Sequence, residues 1–313
     1  MNTILDNSLK IPQVRSSVLI TGANGFVGYY LTEQLLSKGY RVIATGKGAC
    51  RLPFNEENFI YYSVDFTNQQ QVADVLSLAK PNIIVHGGAI SKPDVCEQNK
   101  ELAFLSNVTG TIYLLKEAAK LKAHFIFVST DFVFSGEKGF YKEDDERVPV
   151  NYYGQTKLLA EDEVMQYPYD WSIVRTVLVY GKSFTGRDNI VTNTAKALQE
   201  GRSLKIFDDQ VRTPTYVEDL VSGMVAMVEK GAQAIYHLSG EDVRTPYQIA
   251  VETGKYLGLD TSLITPVKAE EFYQPAKRPP RTIFDISKAR KNLDFQPISF
   301  EEGLKRTLTP EVQ

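Results

Sequence analysis

Tyr153 and Lys157 stand four positions apart in the segment Asn151-Tyr152-Tyr153-Gly154-Gln155-Thr156-Lys157. On a helix this spacing puts both side chains on one face. An ammonium beside a phenol favours the phenolate, so the tyrosine pKa is expected to drop from its ordinary value of about 10 toward the working range. Tyr153 would then serve as a general acid or base, a role worth about 10²- to 10⁴-fold in rate. Tyr152 has no such partner, because its i+4 neighbour is Thr156. A Tyr and a Lys at this spacing arise by chance on many helices. A third feature shifts the balance: Ser129-Thr130-Asp131-Phe132-Val133-Phe134 closes an apolar run. A hydroxyl at the carboxyl end of a buried strand can hydrogen-bond a ligand oxygen in the crevice there. Ser129 and Thr130 also suit plain strand termination and turn capping. Hydroxyl, phenol and ammonium in this order favour chemistry over coincidence.

A second constellation lies near the start, at Thr21-Gly22-Ala23-Asn24-Gly25-Phe26-Val27-Gly28. Gly22 and Gly25 permit a tight turn and close backbone approach to a pyrophosphate, and Gly28 lets helix and strand pack closely. The helix N-terminus beyond offers free N–H groups and a positive dipole end, so Asn24, Phe26 and Val27 belong to the same cofactor-binding turn. A ligand-free tight turn has the same glycines, but the strand–turn–helix setting favours a dinucleotide. The following strand ends Ile43-Ala44-Thr45-Gly46-Lys47, with Arg51 beyond and no carboxylate before Glu56. Basic residues here suit a 2′-phosphate, where an acidic one would hold a free 2′-hydroxyl. Lys47 and Arg51 favour NADP(H), with NAD(H) as the alternative.

These groups need a scaffold to bring them together. Val18-Leu19-Ile20, Arg41 to Thr45, Phe59 to Val64, Ile83 to His86 and Phe125 to Ser129 read as strands. Helical patterns over Val27 to Ser37, Gln69 to Ala79 and Ala103 to Lys120 separate them. Such alternation builds a parallel sheet covered on both faces. The wholly apolar Phe125-Ile126-Phe127-Val128 fits a central strand. The expected class is α/β, a Rossmann doubly wound parallel sheet with a smaller C-terminal substrate-binding domain. After Gly181 the pattern loosens into a helix over Ile190 to Glu200, a strand over Leu204 to Phe207, a helix over Val217 to Lys230 and a strand over Ala234 to Ser239. A tail rich in Pro and basic residues follows, notably Gln274 to Arg281. The expected division is 1–181 plus 216–243 for the cofactor-binding domain and 182–215 plus 244–313 for the substrate-binding one. The mixed-sign run Lys142 to Arg147 is expected as a solvated loop.

Composition narrows the class further. The 313 residues are 43% hydrophobic and 23% charged, ordinary for a globular chain, and the formal charge of -3 argues against nucleic acid or an anionic membrane as partner. Cys50 and Cys96 lie in no metal-ligand spacing and read as free thiols in a reducing compartment. Met1 to Gln13 carries no apolar signal core, and no run reaches the ~18 apolar residues of a membrane span. A cytoplasmic enzyme without a metal is expected.

Further segments complete a pattern. Asp65-Phe66 follows the third strand, His86-Gly87-Gly88-Ala89 the fourth, and Asn107-Val108-Thr109-Gly110-Thr111 lies in the next helix. From Thr21 to about Pro297 the chain resembles the extended short-chain dehydrogenase/reductases. The resemblance implies that Asp65 and Phe66 hold adenine, that Gly87, Gly88 and Ala89 turn against the cofactor, and that Asn107 supports it. His86 reads as a packed or capping residue. Within that superfamily, Ser129 to Gly136, Tyr153 to Glu161, Arg175-Thr176 with Tyr180-Gly181, Arg212 to Thr215 and Arg278-Pro279-Pro280-Arg281-Thr282 are most similar to the dTDP-4-dehydrorhamnose reductases. By that resemblance Thr130, Tyr153 and Lys157 form the catalytic triad, and Lys157 also holds the nicotinamide ribose. Ser129, Asp131, Thr176, Arg212, Arg278 and Arg281 become substrate contacts, the arginines for a nucleotide diphosphate, since their forked donors suit phosphate. One departure is Leu178, where the bacterial reductases commonly carry tryptophan. Gly87-Gly88 and the Asn107 segment look more like the epimerase/dehydratase branch.

The implied activity is NADPH-dependent reduction of a nucleotide-linked 4-keto-6-deoxy sugar. Two other activities share these features: an NAD-dependent nucleotide-sugar epimerase or dehydratase, and a non-catalytic NADP-binding regulatory subunit like that of methionine adenosyltransferase. A nucleotide sugar is the expected partner, and a homodimer fits the same reading.

Overall fold

The computed structural model describes residues 15–309; the segment Met1 to Gln13, read above for targeting, lies outside them. The chain runs through β1 (Arg15–Thr21), α1 (Phe26–Ser37), β2 (Tyr40–Gly46), β3 (Phe59–Ser63), α2 (Gln69–Ala79) and β4 (Ile83–His86). Next come α3 (Pro93–Gln98), α4 (Lys100–Phe104), α5 (Gly110–Leu121), β5 (His124–Thr130), β6 (Gly139–Tyr141), α6 (Tyr152–Met165) and β7 (Trp171–Thr176). The remainder holds β8 (Val179–Tyr180), α7 (Ile190–Gln199), β9 (Leu204–Phe207), β10 (Val211–Arg212), β11 (Thr215–Tyr216), α8 (Val217–Lys230) and β12 (Ile235–His237). It ends with α9 (Pro246–Tyr256), β13 (Ile264–Val267), β14 (Arg281–Phe284), α10 (Ser287–Leu293) and α11 (Phe300–Leu308).

Seven strands form the central sheet in the order β12-β7-β5-β4-β1-β2-β3, every pairing parallel. Consecutive side chains of a strand leave on opposite faces. On β5, Phe125 and Phe127 enter a core with α2, α5 and α6, while Ile126 enters one with α1, α8 and α10. Helices therefore cover both faces, as the alternation of elements predicted. Strand order reverses between β1 and β4, and such a switch point opens a crevice at the carboxyl ends of the strands. Thr21, His86 and Thr130 all end strands at that rim.

Outside this sheet lie three small parallel ones: β10-β14-β6, β11-β8 and β13-β9. The Pro-rich tail is thus more ordered than its composition suggested. Thr245 opens α9 with a capping box to Gln248, and β14 joins β6 and β10. The strand β7 shows no strand pattern in the sequence, since Trp171-Ser172-Ile173-Val174-Arg175-Thr176 mixes polar and apolar residues although its four central ones are buried.

Two further expectations need correction. The helix expected over Ala103 to Lys120 is broken by a π-helical turn at Leu105–Thr109. That turn holds the buried Asn107 amide, which accepts from Ile90 N at 2.8 Å and donates to Ile90 O at 3.1 Å and to Thr156 Oγ1 at 3.0 Å. Nor is Lys142 to Arg147 simply solvated. Glu143 Oε1 accepts from His237 N at 3.1 Å, and Arg147 donates to Glu161 at 3.2 Å and Asp162 at 2.7 Å. Alternate residues of the run turn inward, a pattern hidden by its mixed charge.

Candidate active site

The glycine turn is built for close approach. Gly22 has φ +72°, and a Cβ there would meet Gly88 N at 3.0 Å; a Cβ on Gly25 would meet Gly22 O at 2.9 Å. Gly25 caps α1 with no side-chain hydrogen bond, so the first N–H groups of the helix face the crevice. Asn24 lines the cleft, and its side-chain amide has protein partners. Its amide donates to Ala49 O at 3.0 Å and accepts from Arg51 N at 2.9 Å, which moors the loop after β2 to the turn. Arg51 reaches back to Asn24 O at 3.2 Å. Lys47 forms a 2.8 Å ion pair with Asp65, whose carboxyl is held below its usual range first by that contact and then by Thr67. Lys47, Arg51 and Asp65 thus line one end of the cleft together.

Phe66 explains the glycines of two other segments. A Cβ on Gly88 would lie 2.6 Å from its ring, and one on Gly110 likewise 2.6 Å. The ring is wedged between the loop after β4 and the start of α5. His86 behind it is packed, as expected: Nδ1 meets Thr21 Oγ1 at 2.6 Å and Nε2 meets Thr111 Oγ1 at 3.0 Å. Burial, then the charge of Lys157, pulls its pKa down to about 3, so it is neutral.

Thr130, Tyr153 and Lys157 converge on the crevice, and all three line it. Asn151 caps α6 by accepting from Gly154 N at 2.9 Å, which starts the helix where Tyr153 and Lys157 share a face. Lys157 Nζ donates to Val128 O at 2.7 Å and sits 3.8 Å over the Phe127 ring. Thr130 Oγ1 accepts from Phe132 N at 3.2 Å, so Thr130 caps the turn while also lining the cleft. The expected lowering of the Tyr153 pKa is overturned. Burial raises it, and the Thr130 hydroxyl and the charge of Arg187 lower it only in part. The physical reason is that the phenol is itself buried, where its charged form is disfavoured; the same burial draws the Lys157 ammonium down to about 7.

The cleft has a volume of about 910 Å³ and runs from the glycine turn to the carboxyl end of β5. Gly87, Gly88 and Ala89 line it, as do Ser129, Thr176, Arg212 and Arg278. Asp131 also lines it, but its carboxylate is committed: it accepts from Thr282 Oγ1 at 2.5 Å and pairs with Arg212 Nε at 3.4 Å. Arg278 forks onto Asp94 at 2.5 and 2.6 Å. Two expected contacts fall outside the cleft among the described residues. Asn107 is used up by Ile90 and Thr156, so it supports the loop rather than meeting a ligand. Arg281 is exposed on β14 with its stem over Gly139.

This geometry, with a phosphate-type turn at one end and a hydroxyl–phenol–ammonium group at the other, matches a known family model. The RmlD substrate-binding domain model matches residues 16–312. The chain belongs to the RmlD substrate-binding domain family. Among relatives of this family member, the spore coat polysaccharide biosynthesis protein SpsK of Bacillus subtilis is 30% identical over 295 residues, covering 94% of this chain and 97% of the relative. The methionine adenosyltransferase 2 subunit beta of Xenopus laevis is 30% identical over 313 residues, covering 98% and 91%. A crystal structure of dTDP-4-dehydrorhamnose reductase from Bacillus anthracis in complex with NADP superposes with TM-score 0.82 at 30% identity, covering 93% of this chain and 98% of that one.

Arg187 and Gln210 also line the cleft of this RmlD-family chain, though no sequence motif marks them, and Leu178, noted above as a departure, lines it too. Arg187 donates to Ser91 Oγ at 2.6 Å across the cleft, and its charge lowers the Tyr153 pKa. Its segment is irregular and offers no periodicity to read. Leu178 adopts φ +36°, in the left-handed region that a bulky side chain rarely enters, and lines the cleft between β7 and β8. Gln210 reaches the cleft from the link between β9 and β10.

Proposed function

We propose that this chain is an NADPH-dependent reductase of a nucleotide-linked 4-keto-6-deoxy sugar. The observation that carries the reading is the meeting of Thr130, Tyr153 and Lys157 at the carboxyl end of β5, in one cleft with the glycine turn. The turn residues Gly22, Gly25 and Gly28 with the α1 N-terminus would hold the pyrophosphate, Asp65 and Phe66 the adenosine, Lys47 and Arg51 a 2′-phosphate, and Lys157 the nicotinamide ribose. NADPH, when bound, supplies the hydride that reduces the C4 ketone.

The chain's own groups manage the oxygen of that ketone. Burial keeps the Tyr153 phenol protonated at neutral pH. A forming alkoxide is more basic than a phenolate, so the proton moves downhill from Tyr153 Oη to the substrate oxygen. Thr130 Oγ1 orients that oxygen as a second hydrogen-bonding hydroxyl. The Lys157 ammonium, beside Val128 O, stabilises the phenolate left behind. Arg212, Arg187 and Arg278 bring positive charge to the wall where a nucleotide diphosphate would lie. Residues 182–215 plus 244–313 serve as the substrate-reading part, and the free thiols Cys50 and Cys96 accord with a cytoplasmic setting. A homodimer is part of the same proposal.

The test supplies NADPH with dTDP-4-keto-rhamnose and follows nicotinamide oxidation. Turnover that survives Tyr153→Phe undiminished removes the proposed acid. The similarity to methionine adenosyltransferase 2 subunit beta supports a second reading, a cofactor-binding regulatory subunit. Stable co-purification with a separate enzyme, together with no turnover of any keto-sugar, would decide for it.

A further inference from the structure

Two buried polar atoms in the cleft find no partner among the described residues: Ser129 Oγ and Gln210 Nε2. Ser129 was already an expected contact, on the β5 wall. Gln210 lines the same cleft from the link between β9 and β10, and nothing in its sequence setting, Asp208-Asp209-Gln210-Val211, marks it. It is 8% exposed, so its amide has left water without gaining a protein acceptor, and such a donor costs stability unless something repays it.

Its neighbours fix what it faces. Asp209 turns away, its Oδ2 accepting from Ala269 N at 2.6 Å. Val211 N donates to Pro280 O at 2.8 Å, and its strand β10 pairs with β14. Side chains two apart on an extended chain share a face, and both Gln210 and Arg212 line the cleft. Arg212 meets Asp131, the residue after Thr130, which places Gln210 on the wall at the reacting end rather than at the glycine turn. The amide is neutral while Arg212 and Arg278 supply the charge nearby. A neutral donor among paired ions suits an uncharged oxygen and leaves phosphate to the guanidinium groups.

We propose that Gln210 is a specificity-determining residue whose Nε2 donates to a non-reacting hydroxyl of the hexose, so that this chain distinguishes a sugar nucleotide from the bare nucleotide. The inference rests on the nucleotide-sugar reading given above. Gln210 does no chemistry: it takes up no proton and acts by position.

The experiment compares dTDP-rhamnose with dTDP, each titrated by calorimetry into the NADPH-saturated full chain, for wild type, Gln210→Leu and Gln210→Glu. Wild type is expected to bind dTDP-rhamnose more tightly than dTDP. In Gln210→Leu that advantage falls about tenfold, with dTDP and NADPH affinities unchanged, as the loss of one hydrogen bond from an otherwise intact site predicts. Gln210→Glu keeps the shape but loses the donor, and it loses the advantage too. Removal of an unpaired buried donor should leave the melting temperature of ligand-free Gln210→Leu unchanged or higher by about 1–3 °C. An advantage preserved in either variant, or a melting temperature lowered by several degrees in Gln210→Leu, overturns the assignment of Gln210. A wild type that binds NADPH and dTDP but gains nothing from the sugar overturns the sugar-reading role directly. A wild type that binds NADPH and neither nucleotide overturns the functional reading and this inference together.

Discussion

Glu161 accepts a forked pair of hydrogen bonds from Arg175, Nε to Oε1 at 2.9 Å and Nη2 to Oε2 at 2.7 Å, with both side chains essentially fully buried. The pair ties α6, which carries Tyr153 and Lys157, to β7, which ends at Thr176. Glu161 continues the Tyr153–Lys157 face by one more turn of the helix. Glu161→Gln leaves the buried guanidinium without its counter-charge and is expected to cost about 3–5 kcal/mol in urea unfolding. The double variant Glu161→Met with Arg175→Met should lose less than the sum of the two single changes, because neither charge is then stranded.

Gly88→Ala drives a methyl into the Phe66 ring, 2.6 Å away. Since Phe66 is also held by Gly110 on its other side, it has little room to yield. A loss of about 1–3 kcal/mol is expected from this overpacking. Adding Phe66→Leu should recover part of it in a double-mutant cycle; strict additivity would show that the ring is not the obstacle.

Stability should depend on pH through Lys157. Burial pulls its ammonium down to about 7, whereas the unfolded lysine titrates at about 10.4. Below about pH 7 both states are charged and the full desolvation penalty stands. Between about 7 and 10 the unfolded chain binds the extra proton, so stability rises with pH. Lys157→Met removes the penalty. Its melting temperature should exceed that of wild type at pH 6, with the gap closing toward pH 10. A gap independent of pH would mean that the lysine is not buried as described.

Lys47 and Arg51 are exposed, and their charges would count mainly in cofactor choice. Lys47→Ala with Arg51→Ala is expected to weaken NADPH by about tenfold or more while leaving NADH nearly unchanged, as loss of charge-assisted contacts to one phosphate predicts. Fluorescence titration of both cofactors checks this. Equal weakening of NADPH and NADH would assign the two residues to the loop rather than to the 2′-phosphate.

Much of the architecture could be read from residues close in sequence. The alternation of apolar runs and helical patterns, the glycine turn after β1 and the i,i+4 pair on α6 are local regularities, and local regularities are what a strand or helix imposes on its own residues. The elements that escaped lacked them. β7 carries Arg175 at a buried position because a partner 14 residues away neutralises it, and the tail forms β14 only because β6 and β10 are there to pair.

The sequence by itself determined which side chains can do chemistry and on which local elements they ride: Thr130 at a strand end, Tyr153 and Lys157 one turn apart, glycines where a backbone must come close. Only the tertiary structure decided how those groups behave and which residues join them. Desolvation is a property of the assembled surroundings, so the phenol rose where neighbouring charge alone had it falling. Commitment of a polar group depends on partners distant in the chain, so Asn107 and Asp131 were taken up by Ile90, Thr156, Thr282 and Arg212, while Gln210 was left buried with a donor to spare.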